Sequence, residues 1–145
     1  MPIDKFWTYD KDIILTAKKI LNENPWDVIV AKYENIEKIP VSPGIYMFST
    51  QTTILHDERT EFIREPYYVG KSDVSIFSRF KKHIIKPQWK KTSQAYGENF
   101  IYSYLILENE DYETILDMED TLIRAFGPLI NEKYSKSRPS VKSKE

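Results

Sequence analysis

The 145-residue chain contains no cysteine. That absence excludes a disulfide scaffold, a cysteine zinc site, an iron–sulfur protein and a thiol nucleophile. The chain has only 2 histidines, His56 and His83, which excludes a histidine-rich metal site. Its first residues lack the basic flank and apolar core of a secretory signal, and no apolar run approaches membrane-spanning length. We therefore expect a soluble, cytoplasmic protein with no membrane partner.

Several familiar catalytic and recognition motifs are also missing. With only 4 glycines, the chain has no phosphate-cradling glycine loop, and it has neither a Gly-x-Ser-x-Gly elbow nor a His-Glu-x-x-His zinc motif. It shows no recognition-helix module, zinc finger or repeat that would read base sequence. The length itself fits one domain with a terminal extension.

Charge is unevenly distributed along the chain. The formal net charge is −1, but residues 66–91 hold 7 basic residues and 1 acidic residue, a net of +6. The flanking segments 1–65 and 92–145 carry −3 and −4. Such a block is typical of a surface that binds a polyanion, or of a solvated helix face. On the first interpretation, the candidate nucleic-acid contacts are Lys71, Lys81, Lys82 and Lys86.

Hydrophobic periodicity predicts three helices. The first spans Asp10 to Asn24, the second Val74 to Ile85, and the third runs from Asp111 or Thr114 to Phe126. Each carries apolar residues at helical spacing, with a capping residue at its start or a proline or glycine at its end. Residues 1–38 are interpreted as a helical N-terminal extension, in which the stretch 26–33 is helical or irregular.

Short apolar runs predict three strands, at residues 45–49, 67–69 and 100–107. The polar stretch 51–65 includes a brief run that forms an extra strand or a hairpin arm. Residues 89–98 are expected to be a polar loop, and residues 135–145 a disordered basic tail. The order of elements indicates an α+β fold with a small, mainly antiparallel sheet within residues 39–134.

Glu119 lies on the apolar stripe of the third predicted helix, between Ile115 and Leu122. A carboxylate that faces a core is costly unless it is paired, protonated or bound to a metal. The alternative is a boundary glutamate that reaches water or pairs with a neighbouring Arg or Lys. One carboxylate makes a poor metal cage, so a bound ion would be a lightly held Mg²⁺ completed by waters and a phosphate.

Arg79 and His83 lie four residues apart, so both project from one face of the second helix. Arginine can grip a phosphate with two parallel hydrogen bonds, and histidine can transfer protons near neutral pH. The alternative is an ordinary surface pair on a lysine-rich helix.

Tyr46 and Tyr68 lie on neighbouring predicted strands, each near a glycine. Taken singly, each fits an amphipathic core tyrosine. A tyrosine hydroxyl could deprotonate a water only if nearby cations lowered its pKa from about 10. Arg79, Lys71 and a metal ion are the candidate cations.

Taken in order, these residues resemble the GIY-YIG nuclease family. The elements are Gly44-Ile45-Tyr46, Tyr68-Val69-Gly70, Arg79-x-x-x-His83, Glu119 and Pro128-x-x-Asn131, and they extend from about Val41 to Asn131. The two motif tyrosines are 22 residues apart, so residues 51–65 resemble an insertion. The resemblance implies a central three-stranded antiparallel sheet flanked by helices.

The resemblance also implies phosphodiester hydrolysis with one Mg²⁺ or Mn²⁺ ion per active site. Glu119 would bind the metal, Tyr46 would activate the water, and Arg79 would neutralise the scissile phosphate. Tyr68 would line the site and His83 would pair with a tyrosine or the water. Asn131 would hold the geometry of the site. Lys71 is either an extra phosphate or tyrosine partner or a solvent-exposed side chain.

The expected function is therefore a metal-dependent DNA endonuclease. RNA stays open as a substrate, because this chemistry does not discriminate the sugar. The alternative is a non-catalytic nucleic-acid-binding module, or a subunit that depends on a protein partner, with the same fold. A protein-docking role for residues 1–38 and 51–65, or a homodimer, also stays open.

Overall fold

The computed structural model describes residues 10–128, which form an α+β fold around one antiparallel sheet. Asn131 and the tail predicted at residues 135–145 lie outside this range, and the predicted division of the chain at residue 38 stays a prediction. Within the described range, no helix is both long and apolar enough to cross a membrane. The helices are α1 (Lys11–Asn22), α2 (Ile76–Ile84), α3 (Pro87–Tyr96) and α4 (Tyr112–Phe126).

The sheet has four strands, not the expected three. They are β1 (Asp27–Val30), β2 (Gly44–Leu55), β3 (Thr60–Ser72) and β4 (Phe100–Ile106), in the order β1-β4-β2-β3. Of the three expected strands, β3 and β4 pair with opposite edges of β2, and β1 adds to the outer edge of β4, with Asp27 opposite Tyr104. The prediction of a helical or irregular segment at 26–33 is therefore wrong.

Residues 51–65 form the arm of a long hairpin, which was one of the two alternatives. β2 and β3 remain paired out to Leu55 opposite Thr60. The neighbouring strand β4 pairs with β2 only as far as Phe100, which lies opposite Thr50. The arm therefore extends beyond the four-stranded part of the sheet as a two-stranded ribbon.

The prediction of a polar loop at residues 89–98 is wrong, because most of this segment belongs to helix α3. Pro87 occupies the first turn of α3, where its fixed φ suits a helix and its missing N–H leaves no bond unmade. The single buried anchor of α3 is Trp89. One apolar residue makes no stripe, which is why the periodicity of the sequence did not indicate this helix.

Two different cores cover the two faces of the sheet. The face under α2 and α3 is mostly aromatic; its buried members include Tyr46, Phe48, Phe80, Trp89, Phe100 and Tyr102. The face under α1 and α4 is aliphatic; it includes Ala17, Ile20, Ile45, Val69, Leu105, Ile115, Leu122 and Ile123. We call these the aromatic core and the aliphatic core.

Helix α4 has the ends that the sequence predicts. The Asp111 carboxylate accepts a hydrogen bond from the backbone N–H of Thr114 at 2.8 Å. Gly127 ends the helix in the left-handed conformation, with φ 54°. α4 therefore presents a fixed face to the edge strand β3, and the middle of that face carries Glu119.

Candidate active site

A buried hydrogen bond joins the first motif tyrosine to α2. The Tyr46 hydroxyl lies 3.0 Å from Nε2 of His83, and Tyr46 is only 1% exposed. Gly70 is paired opposite Tyr46 on β3, and a Cβ at Gly70 would overlap the Tyr46 hydroxyl. A glycine at position 70 therefore makes room for this hydroxyl.

His83 is a neutral imidazole in this environment. Burial, together with the positive charges of Lys86, Arg79 and Lys82, lowers its pKa to about 3. Its ring stacks on Trp89 with the centroids 4.6 Å apart. Among residues 10–128, Nδ1 has no hydrogen-bond partner. A proton taken up by His83 would therefore make the imidazole a cation, in a site that disfavours positive charge.

Tyr68 lies beside this pair, half-buried at the edge of the sheet. Its ring centroid is 6.2 Å from that of Tyr46 and 4.9 Å from that of His83. Burial raises the pKa of Tyr68, and the Glu119 carboxylate adds to this rise. Burial also raises the pKa of Tyr46 well above its ordinary value. Both hydroxyls are therefore protonated at neutral pH.

A bulge in the sheet places Tyr67 on the same face as Tyr68. Phe48 pairs with Tyr68 whereas Ser49 pairs with Pro66, so Tyr67 is the extra residue in β3. Bulges re-aim side chains in this way. Both tyrosines pack against the aromatic core: Tyr67 donates to or accepts from the Thr92 hydroxyl at 3.0 Å, and Tyr68 faces His83.

Glu119 is buried, as its position on the apolar stripe predicts, with 7% of the residue exposed. Burial raises the pKa of its carboxyl to about 7, while the positive charges of Lys71 and Arg79 oppose this rise. Its Oε1 has no hydrogen-bond partner within the described part of the chain. Within the described residues the carboxylate also forms no ion pair with an arginine or lysine.

Lys71 is not the solvent-exposed side chain that was one of its alternatives, since that side chain is only 9% exposed. Its ammonium lies 4.8 Å from the centre of the Tyr112 ring and 3.3 Å from Oδ1 of Asp73. It is also the positive charge with the largest effect on Glu119. Lys71 therefore contributes positive potential at the carboxylate.

Arg79 connects these groups electrostatically while its own side chain stays exposed. Its positive charge acts on both tyrosines, on His83 and on Glu119. Within residues 10–128 its guanidinium forms no ion pair. An exposed cation at the mouth of a buried polar cluster is available to an anionic ligand.

The three remaining candidate contacts, Lys81, Lys82 and Lys86, are exposed on α2 and in the turn that follows it. Lys82 and Lys86 are close enough to lower the pKa of His83. Lys82 and Lys86 therefore lie near the cluster, Lys81 shows no such effect on His83, and none of the three is part of the buried interior.

Two residues of the cluster were missed by the sequence analysis. Trp89 packs on His83, and Tyr102 places its ring 5.8 Å from Tyr46 while donating its hydroxyl to the carbonyl of Ile76 at 3.2 Å. Pro87 at a helix start could have indicated α3 and its tryptophan. No local signal distinguishes Tyr102 from the other strand tyrosines.

The residues of this cluster fit one metal ion held by a single protein ligand. No group of three or more His, Cys, Asp or Glu side chains that could hold a metal occurs between residues 10 and 128. The unpartnered Oε1 of buried Glu119 is the one strong candidate ligand in the cluster. Mg²⁺ is commonly bound through one or two carboxylates with waters and substrate phosphates completing its shell.

Comparison of the chain with protein-family models, with curated proteins and with solved structures finds no match. The function is therefore inferred from the residues that this structure brings together. They are two neutral tyrosine hydroxyls, a neutral imidazole, an exposed guanidinium and a carboxyl that titrates near pH 7. Such a set can orient a water, neutralise an anion and hold a divalent cation.

Proposed function

We propose that the protein is a metal-dependent endonuclease that hydrolyses phosphodiester bonds in DNA. The observation that carries the proposal is the buried Glu119 carboxylate, whose Oε1 has no partner among residues 10–128 and which acts electrostatically on Tyr46, the hydrogen-bond partner of His83. The order of these residues along the chain, which resembles the GIY-YIG pattern, supports the same conclusion.

Glu119 would hold one Mg²⁺ or Mn²⁺ ion through Oε1. When bound, the ion would supply Lewis-acid stabilisation of charge on a phosphoryl or leaving oxygen. Ionisation of Glu119 would accompany binding, because metal ligands must be deprotonated. With a carboxyl pKa of about 7, ion binding would weaken as the pH falls below neutrality.

Tyr46 is the residue that we assign to the attacking water. His83 stays neutral at physiological pH, so its Nε2 can accept the Tyr46 proton in a hydrogen bond. That bond leaves the lone pairs of the phenolic oxygen to accept a hydrogen bond from a water. The hydroxyl thereby orients the water, and the hydrogen bond to neutral His83 fixes the direction of the Tyr46 proton.

Arg79 and Tyr68 are assigned to the phosphate. The exposed Arg79 guanidinium can donate two parallel hydrogen bonds to phosphoryl oxygens. Tyr68, half-buried beside His83, offers a protonated hydroxyl as a further donor. Donors fixed in position before the reaction stabilise charge as it develops in the transition state.

DNA is the expected polyanion because the +6 segment contains both α2 and the start of α3. Counterion release makes such binding sensitive to salt. RNA carries the same phosphodiester and stays open. A non-catalytic binding module is the second candidate, and the raised pKa of Tyr46 favours it, since the free site holds no tyrosinate.

The test is cleavage of supercoiled plasmid, single-stranded DNA and RNA, each with Mg²⁺, Mn²⁺ or EDTA. We expect metal-dependent cutting by wild type and a loss of at least about a hundredfold in Glu119→Gln and in Tyr46→Phe. The matched control is Glu113→Gln on the same helix, since Glu113 is exposed in the first turn. That variant should cut like wild type.

Metal binding gives a second readout that does not depend on turnover. A ligand that binds only the native state raises the melting temperature. Mn²⁺ should therefore raise the melting temperature of wild type and of Glu113→Gln, and leave that of Glu119→Gln unchanged. Salt-sensitive DNA binding with no cutting and no metal effect in any variant would favour the binding module. Cutting by Glu119→Gln at the wild-type rate would contradict the assignment of the metal to Glu119.

A further inference from the structure

A groove of about 720 Å³ lies beside the C-terminal end of α2. It is bordered by the 3₁₀ turn Tyr33–Lys38, by the end of α2 and by α3. Its lining includes Lys32, Tyr33, Ile85, Lys90, Gln94 and Gly97. None of these residues belongs to the candidate active site.

The groove combines positive charge with exposed flat and apolar surface. Tyr33 and Ile85 are each 51% exposed although both are large hydrophobic side chains. Lys32 and Lys90 are exposed on opposite walls, and Glu34 is the single acid in the lining. Exposed aromatic rings beside lysines form the sites on which proteins stack the bases of single-stranded nucleic acids.

Gly97 leaves part of the groove open. It has φ 54°, and a Cβ built on it would meet no atom within 4 Å. The space above this residue is therefore empty, so a planar ligand could approach the backbone. Gln94, which is also exposed, offers an amide donor and an acceptor to the edge of such a ligand.

One ridge of α2 connects the groove with the candidate active site. Arg79, Lys82 and Ile85 are spaced three residues apart, so they are successive neighbours on the helix surface. At a rise of 1.5 Å per residue, Ile85 lies about 9 Å along the axis from Arg79. A stacked strand advances about 3.4 Å per nucleotide, so this separation corresponds to about three nucleotides.

We propose that this groove binds an unpaired nucleotide of the substrate, about three nucleotides from the phosphate that Arg79 contacts. The base stacks on Tyr33, and Lys32 and Lys90 contact the flanking phosphates. The inference rests on the proposed nuclease function and names its substrate class: a nucleic acid with a single-stranded segment next to the cleaved bond. A fully paired duplex does not fit, because its bases stay stacked on one another.

The test measures binding of a fluorescein-labelled oligothymidylate in EDTA, where metal-dependent cutting cannot occur. We expect Tyr33→Ala to bind about tenfold more weakly than wild type, because a base–aromatic stack is lost. Tyr33→Phe keeps the ring and should bind like wild type. Lys90→Ala should lower the slope of log K against log salt by about 0.7, whereas Lys18→Ala, on the exposed face of α1, should not change it.

A blunt duplex of the same length separates stacking from general electrostatic attraction. Tyr33→Ala should change duplex affinity less than twofold. Equal losses for single strand and duplex, or a single-strand affinity unchanged by Tyr33→Ala, would overturn the proposal. Failure of wild type to bind the oligonucleotide at low salt would also overturn it and would favour a protein ligand for the groove.

These outcomes are independent of the test for cleavage. A chain that cuts DNA but binds oligothymidylate equally well with Tyr33→Ala would retain the nuclease function and lose the groove. A chain that binds through Tyr33 but never cuts would retain the groove and lose the nuclease function.

Discussion

The two faces of the sheet solve the problem of buried polar groups differently. On the aromatic face the hydroxyls of the core tyrosines have partners: Tyr102 donates to a backbone carbonyl, and Tyr46 is bonded to His83. On the aliphatic face Glu119 is a carboxyl buried under α4, and its Oε1 lacks a partner among residues 10–128. Among residues 10–128, the aromatic face therefore bonds its core tyrosine hydroxyls and leaves only a neutral imidazole nitrogen, Nδ1 of His83, without a partner, whereas the face under α4 leaves a carboxyl oxygen without one.

The difference between the faces indicates where function, and not packing, determines the residue. A buried carboxyl with a raised pKa destabilises the native state at neutral pH, and perturbed titrating groups cluster at functional sites. Glu119 acts on Tyr46 and Tyr68 across the edge of the sheet. The candidate site therefore lies where the two faces meet, at the outer strand β3.

The largest expected effect comes from breaking the aromatic core. Phe48 has no exposed surface, and its ring lies 4.6 Å from Trp89 and 4.7 Å from Tyr102, centroid to centroid. Phe48→Ala should lower the free energy of unfolding by about 4 kcal/mol. Met47→Ala, on the opposite face, should cost only about 2 kcal/mol, because Met47 already borders a cavity of about 430 Å³.

Urea unfolding of both variants measures this difference, and comparable m-values would show that both retain two-state behaviour. Equal losses at positions 47 and 48 would contradict the conclusion that the aromatic face is the more tightly packed. The comparison is well matched because the two residues are adjacent on one strand and point to opposite faces.

The second-largest expected effect is the loss of native-state stability that accompanies ionisation of the buried Glu119 carboxyl. Because the pKa of its carboxyl is about 7 in the native state, the stability present below about pH 4.5 is lost as the pH rises through 7. Glu119→Gln removes this loss. In EDTA at about pH 8 the variant should be more stable than wild type by on the order of 3 kcal/mol.

The ionisation of His83 changes the pH dependence of stability in the opposite direction to that of Glu119. The pKa of His83 is about 3 in the native state, so stability present above about pH 6.5 is lost as the pH falls. Between roughly pH 4.5 and 6.5 the two contributions cancel in wild type. Glu119→Gln leaves only that of His83, so its stability should rise with pH across this range. Parallel pH profiles of the two proteins would show that Glu119 has an ordinary pKa.

Much of the fold could be predicted from the sequence because local signals coincide with it. The stripe and ends of α4, the cap of α1 at Asp10 and the apolar run of β4 are all local. The strand β1 could not be predicted in this way. Its residues are exposed or half-buried, and its stability comes from pairing with β4, more than 70 residues away in sequence.

The residues of the candidate site show the same distinction between local signals and contacts that are distant in sequence. The position of Glu119 on an apolar stripe predicts its burial, because one helix determines that position. The bond between Tyr46 and His83 spans 37 residues, so helix and strand periods do not indicate it, and only the family resemblance suggested such a pair. The groove beside Tyr33 has no sequence signature, because a 3₁₀ turn and two helices form it together.

The smallest expected difference between the faces concerns how their helices begin. On the aromatic face α2 is capped by the buried Ser75, whose hydroxyl accepts from the backbone N–H of Ser78 at 3.0 Å. Ser75→Ala should lower the free energy of unfolding by about 1 kcal/mol at every pH, since a hydroxyl does not titrate in this range. Ser78→Ala on the same helix, at an exposed position, should stay within about 0.5 kcal/mol of wild type.

On the aliphatic face α4 is capped by an exposed carboxylate. The hydrogen bond from the backbone of Thr114 holds the pKa of Asp111 below its usual value, so this cap stabilises the helix above that pKa and is lost as the pH falls through it. Asp111→Ala should therefore destabilise the protein near neutral pH and converge on wild type in acid, whereas the effect of Ser75→Ala persists. If the effect of Asp111→Ala also persisted in acid, the cap would act through the hydrogen bond to a neutral carboxyl and not through its charge. The two helix starts would then be equivalent, and the contrast between the faces would be confined to their cores.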